Sequence, residues 1–412
     1  MRNNFIISPF IYRLILFIVF MIAPVGVMAP HAMVLLIILG GICGGSVIYK
    51  YKIPFQLSKN LIISLFLLIC WGILTSVWSK IPLKSFLLSL KLLSICVLGG
   101  FWFNLIKIVD ERQRNGIAIA LLTGIILALA FISLDAEAGH FWLNWKERDI
   151  SGAFSHGALA IAVALWPCLC WLYQKSILGK IFLFLISFIV FFLLRNADCD
   201  TSIVALIIGC VVVILFSIKF FEEHIWFSLK SLIVISIFAA PIVSILVFTE
   251  GNIEKISSYT TKSSYIARLY IWNSVSKKTL EKPIIGHGLG STPFLNPMKQ
   301  TPTETKDFKY PYIAMHPHNI ALQWWLELGV IGAILGTWLL LSSLSLIQNA
   351  KITFMSKNFF IGFFITSLGV FWVSTGAWQS WWLSSLWLIG SIMATLVQKV
   401  PSYDKQEAHL ES

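Results

Sequence analysis

Uninterrupted apolar runs constrain this chain more than any motif in it. A run of roughly 17 to 25 apolar residues can cross about 30 Å of hydrocarbon. Such runs recur near residues 10–29, 31–49, 60–79, 83–106, 115–135, 153–174, 177–194, 201–218, 229–249, 319–347, 358–376 and 380–398. Backbone groups in hydrocarbon must bond within their own segment, so each run reads as a helix. The expected fold is an all-α polytopic membrane protein of about twelve transmembrane helices, with one large loop domain between helices 9 and 10. Only 12% of the 412 residues are charged and 58% are apolar, which excludes a soluble domain of this size. Pro30 follows Met28 and Ala29, a poor cleavage site, so the first run is read as a retained span.

Basic residues give the orientation. With a cytoplasmic N-terminus, the inner segments collect fifteen lysines and arginines, while the short outer loops hold five: Lys80, Lys84, Lys146, Arg148 and Arg195. That is the sign the positive-inside rule requires, and it puts both termini in the cytoplasm. The chain then divides into helices 1–9 over 1–249, an outer loop with amphipathic helices over 250–318, helices 10–12 over 319–398, and a polar inner tail over 399–412. The net charge of +12 is topology signal for the most part, and no basic helix or module points to nucleic acid. Seven cysteines form no disulfide or zinc framework, and no internal repeat is evident.

Few polar groups enter the spans, and each needs a partner there. Asn319, Gln323 and Glu327 fall four apart and line one stripe of the tenth span. A glutamate so placed either fixes packing or belongs to a site. Gly329, Gly332 and Gly336 give the same helix a small-residue edge for a neighbour. His316 and His318 precede it, with Asn319 placed to cap it. The positive end of the helix dipole favours a neutral imidazole there, hence a usable base. The pair also has metal-ligand spacing, but no third ligand is evident.

Two arginines share that side. Arg195 ends the seventh span, and Arg268 lies in "SSYIARLYIWNSVSKKTLEKPIIGHGLGS", where Ile266, Leu269, Tyr270, Trp272 and Val275 make the apolar face of a surface helix. A guanidinium fork suits a pyrophosphate, although either arginine can also snorkel to lipid headgroups. Asp198 and Asp200 have the spacing of a metal motif, for which a solvated boundary is the simpler account. Trp378, Trp381 and Trp382 in "AWQSWW" read as belt residues, with sugar stacking as the alternative.

With these residues in view, the chain resembles the O-antigen ligase family of bacterial polysaccharide ligases and polymerases. The pattern is Arg268, Trp272, Pro283, Gly286 and Gly288, then His318-Asn319, nine residues, Gly329, two residues and Gly332. The resemblance implies a membrane-embedded, glycosyltransferase-C-like fold in the bacterial inner membrane, with its site at the periplasmic face. It implies inverting, metal-independent transfer of a glycan from undecaprenyl pyrophosphate to a sugar hydroxyl of lipid A-core, with no cofactor and membrane lipids as surroundings. By position His318 is the catalytic base, Arg195 and Arg268 hold the pyrophosphate, and His316, Asn319, Gln323 and Glu327 support them. An O-antigen polymerase, with a second lipid-linked glycan as acceptor, is the nearest rival. A transporter or flippase of lipid-linked sugars is a more distant one, and would show charged or broken helices near the midplane.

Overall fold

The computed structural model describes residues 7–142, 154–218, 222–260, 263–295, 304–305, 308–309 and 315–397. The expected polar tail over 399–412, and Lys146 and Arg148, lie outside the described residues.

Helices α1 (Pro9–Met28), α2 (Met33–Tyr51), α3 (Lys59–Thr75), α4 (Pro82–Lys107) and α5 (Glu111–Glu137) come first. Next are α6 (Ser155–Tyr173), α7 (Ile177–Leu193), α8 (Asp200–Ser217) and α9 (Glu222–Val247). Two shorter helices, α10 (Glu250–Ser257) and α11 (Ser263–Thr279), occupy the long loop, and α12 (Ile320–Gln348), α13 (Phe354–Val373) and α14 (Ser380–Leu396) complete the bundle. Two two-residue strands, Glu304–Thr305 and Phe308–Lys309, pair antiparallel in the loop. Ten described helices are long and apolar enough to cross a membrane, while the expected spans at 60–79 and 380–398 are the 17-residue helices α3 and α14.

Local chemistry sets the helix starts. Ser8 accepts from Ile11 N at 3.3 Å with Pro9 opening α1, and Asp110 and Gln113 form a reciprocal capping box at α5, with bonds of 2.7 and 3.1 Å. Packing then sorts the helices by depth. The apolar window of α6 is 83% buried and that of α7 only 17%, so α6 is the centre of the bundle and α7 presents its phenylalanines outward. Where α2 crosses α4, a Cβ on Gly44 would lie 2.4 Å from the Phe101 carbonyl oxygen; only glycine allows this approach.

The helix ends form two opposite faces. On one, Gln56 N donates to Asn104 Oδ1 at 2.7 Å, Lys175 Nζ to Asn115 Oδ1 at 2.8 Å, and Lys230 Nζ to Gln348 Oε1 at 2.6 Å. The other gathers the turns after α1, α3, α7 and α13 together with the long loop, and carries every residue singled out as a candidate except those carried deeper by the first turns of α12. Alternation of the spans therefore places the candidates together.

Candidate functional site

The first turns of α12 do not continue straight into the rest of it. Gly329 has φ 68° and ψ −166°, a region open only to glycine, and the helix breaks there. Trp324 lies against Gly336, within 2.4 Å of where a Cβ would be. Twelve residues of straight helix would separate the two by about 18 Å, so the piece before Gly329 folds back on the piece after it. This corrects the reading of 319–347 as one straight span with a glycine edge for a neighbour. Gly329 is the hinge, and Gly336 receives the helix's own tryptophan.

A broken helix was the mark expected of a transporter. Here four of the freed groups are taken up by other segments: Leu326 O accepts from His287 N at 2.9 Å, Glu327 O from Gly288 N at 2.8 Å and Leu328 O from Trp71 Nε1 at 2.9 Å, while Val330 N donates to Pro283 O at 2.8 Å. Each of these carbonyls already accepts a hydrogen bond from another segment. The glycine-rich stretch 283–290, read as a turn-rich loop, is the plug that completes the break.

Glu327 is fully buried and serves as the junction of three segments. Its Oε2 accepts from Gly290 N at 2.6 Å and Trp378 Nε1 at 2.7 Å; its Oε1 accepts from Gln323 Nε2 at 3.1 Å and from Thr292 Oγ1. Gln323, one turn earlier on the stripe, accepts from Ala377 N at 2.8 Å, and Asn319 caps the helix by accepting from Leu322 N at 3.0 Å. The stripe ties the long loop and the α13–α14 turn to α12. Four protein donors already engage its two oxygens, the arrangement of a fastener between segments.

His318 sits just before this stripe. Its Nδ1 lies 2.6 Å from the Ser374 carbonyl oxygen, which can only accept, so Nδ1 carries the proton and the lone pair is on Nε2. Its backbone N donates to His316 Nδ1 at 3.3 Å, and the two ring centroids are 4.1 Å apart. His316 Nε2 faces the Gln379 amide at 3.0 Å, and Trp381 Nε1 donates to Gln379 Oε1 at 3.1 Å. Burial, then the charge of Arg268, pulls His318 below its ordinary value of 6.5, against the Ser374 bond, which raises it. Burial, then repulsion from His318, His156 and Arg268, pushes His316 down to about 3. Both rings are neutral near pH 7.

Arg268 reaches this pair through α11. Trp272, one turn further along, donates Nε1 to Pro317 O at 2.9 Å, fastening the helix to the His316–His318 segment. The guanidinium stands 5.9 Å from the Tyr265 ring, and Tyr265 OH donates to Asp200 Oδ2 at 2.5 Å. Burial lowers the Arg268 pKa, while Tyr265, Cys199 and Asp200 hold the charge in place. Of the expected apolar face, Ile266 and Val275 are buried while Leu269, Tyr270 and Trp272 are only half-buried, and Ile271, outside that set, is buried as well. Asp200 is thus a tyrosine acceptor at the start of α8, and among the described residues no three His, Cys, Asp or Glu groups come together as metal ligands.

Arg195 lies exposed in the 3₁₀ turn Leu194–Ala197, five residues before Asp200, with no described bond to the histidines. The residues not foreseen are Ser374, Gln379, Tyr265, Gly290 and Thr292. "AWQSWW" offered a partial signal, but Trp381 and Trp382 are 2% and 0% exposed and face the protein, so a lipid belt does not describe them.

These features define a class: an all-α protein of many membrane-crossing helices, with neutral imidazoles and a half-buried guanidinium drawn together at one face. Residues 185–336 match the family model described as O-antigen ligase. A protein of Rickettsia typhi, provisionally named a polysaccharide ligase, is 27% identical over 339 residues, 80% of this chain and 80% of its own length. Proteins of the same provisional name are 28% identical over 284 residues in Rickettsia conorii, 68% of this chain and 66% of that one, and 26% over 343 residues in Rickettsia bellii, 81% and 80%. Together these matches support membership of the O-antigen ligase family.

Proposed function

We propose that this protein is an O-antigen ligase that transfers a glycan from undecaprenyl pyrophosphate to a sugar hydroxyl of lipid A-core, at the periplasmic face of a bacterial inner membrane. Its family supports the coarser part of this reading, a glycosyltransferase-like membrane enzyme acting on a lipid-linked glycan and a lipid acceptor. The observation that carries the finer part is the anchoring of His318 Nδ1 on Ser374, which turns a neutral imidazole into a base with one defined lone pair.

In the reaction the acceptor hydroxyl oxygen attacks the anomeric carbon as its proton passes to His318 Nε2. The bond from that carbon to the pyrophosphate oxygen breaks on the opposite face, its electron pair leaving with undecaprenyl pyrophosphate and the anomeric configuration inverting. Charge grows on the leaving group in the transition state, where a preset guanidinium contributes most. Arg268 supplies it, and Arg195 is the second cation in this reading. His316, Asn319, Gln323 and Glu327 hold the base and the α12 break in position.

Purified protein given undecaprenyl-pyrophosphate glycan and lipid A-core in EDTA tests this directly. The expected product is the larger conjugate, formed without divalent ions. Longer lipid-linked glycan formed from donor alone would select the polymerase, and loss of turnover in EDTA would remove the metal-independent mechanism.

A further inference from the structure

A second lipid-facing feature stands apart from the Arg268 side. Helices α3, α4, α12, α13 and α14 wall an apolar cavity of about 490 Å³ that runs from Leu289 and Trp378 near the candidate site to Gln56 and Lys107 toward the opposite face. None of these helices carries Asp200, Tyr265 or Arg268.

Four lysines lie on the segments that flank Leu289 at its near end, though none lines the cavity itself. Leu289 is fixed there by its N–H to Thr75 Oγ1 at 3.1 Å and by Ser85 Oγ to its carbonyl at 2.7 Å. Lys84, beside Ser85, stands 4.6 Å over the Phe294 ring. Trp78 Nε1 donates to Gly286 O at 3.2 Å, bringing Lys80 beside the stretch that carries Lys278 and Lys282. Glu281 bonds Lys278 at 2.8 Å and leaves the cluster with a surplus of positive charge. Lys80 acts electrostatically on Glu281, and Lys282 on the adjacent His287.

An apolar channel with cations at its mouth matches a phosphorylated lipid: chain within, phosphates at the lysines. Inverting displacement also requires the nucleophile to come from the face opposite the leaving group, so an acceptor has to approach away from Arg268. We propose that Lys80, Lys84, Lys278 and Lys282 bind the phosphates of the lipid A-core acceptor while one of its acyl chains occupies the cavity. This assignment rests on the ligase reading given above.

The test is binding of lipid A-core in nanodiscs, measured by native mass spectrometry without any transfer, so it reads out even if the protein transfers no glycan. Lys80→Gln with Lys84→Gln, Lys278→Gln with Lys282→Gln, and Cys96→Trp filling the cavity should each weaken binding on the order of tenfold or more. Lys→Arg at the same positions should retain it, binding should fall with added salt, and undecaprenyl pyrophosphate binding should not change. Unchanged lipid A-core affinity in folded Gln variants, a salt-independent affinity, equal retention of phosphatidylglycerol, or loss of the polyprenyl ligand instead would each overturn the assignment.

Discussion

His318 Nδ1 donates to the Ser374 carbonyl oxygen across 2.6 Å, joining the mouth of α12 to the end of α13. The bond orients the ring and, because a carbonyl has no proton to give, fixes which nitrogen can act. His318 also has φ 54°, in the left-handed region. Alanine there would add strain of about 1 kcal/mol to the loss of the ring, so His318→Ala is not a clean variant. Asparagine tolerates that conformation better. His318→Asn should keep the wild-type melting temperature and lower transfer about 10²- to 10⁴-fold. Turnover of the purified variant checks this, and near-normal conjugate formation removes His318 as the base.

The pH profile follows from the same ring. Transfer needs neutral His318, and burial together with Arg268 keeps its pKa under 6.5, so the rate should hold as pH falls through 6.5 and decline only below it. Arg268→Gln removes one lowering influence, and its residual activity should fail at a higher pH than wild type. A limb that does not move, or moves to lower pH, breaks the link between the two residues. Arg268→Lys should restore the charge but not the fork, leaving transfer lower on the order of 10²-fold.

Glu327 holds four donors, so its removal strands several buried groups at once. Thr292→Val deletes one of these buried hydrogen bonds, and a loss of about 1–3 kcal/mol is expected. Glu327→Ala should lose more, on the order of 4 kcal/mol, and fold in poor yield. Thermal unfolding in detergent measures both. If Glu327→Ala melts like wild type but transfers nothing, the carboxylate acts on substrate and the fastener interpretation fails.

Gly329→Ala tests the helix break. Its φ and ψ belong to glycine, and a Cβ would lie 2.2 Å from the Ile284 carbonyl oxygen. The backbone penalty alone is about 1–3 kcal/mol. Both the melting temperature and transfer should drop, whereas Gly251→Ala, with open space around it, should change neither. An unaffected Gly329→Ala protein would mean that the break is dispensable.

Hydrocarbon content fixed a great deal in advance. A chain cannot leave backbone groups unbonded in a bilayer, so the apolar runs alone determined helices, their number within the limits of two short ones, and the shared face that carries His318 and Arg268. The stripe of Asn319, Gln323 and Glu327 was equally legible, because four-residue spacing places side chains on one helical face wherever the helix lies. What the linear order did not contain was who meets whom across elements. Ser374, Gln379 and Tyr265 carry no local signature, since a backbone carbonyl or a lone polar side chain becomes a partner only when another helix is packed against it. Gly329 read as an ordinary small residue on a helix edge for the same reason. Its hinge exists because Gly288, His287, Trp71 and Pro283, distant in sequence, satisfy the groups that the break sets free.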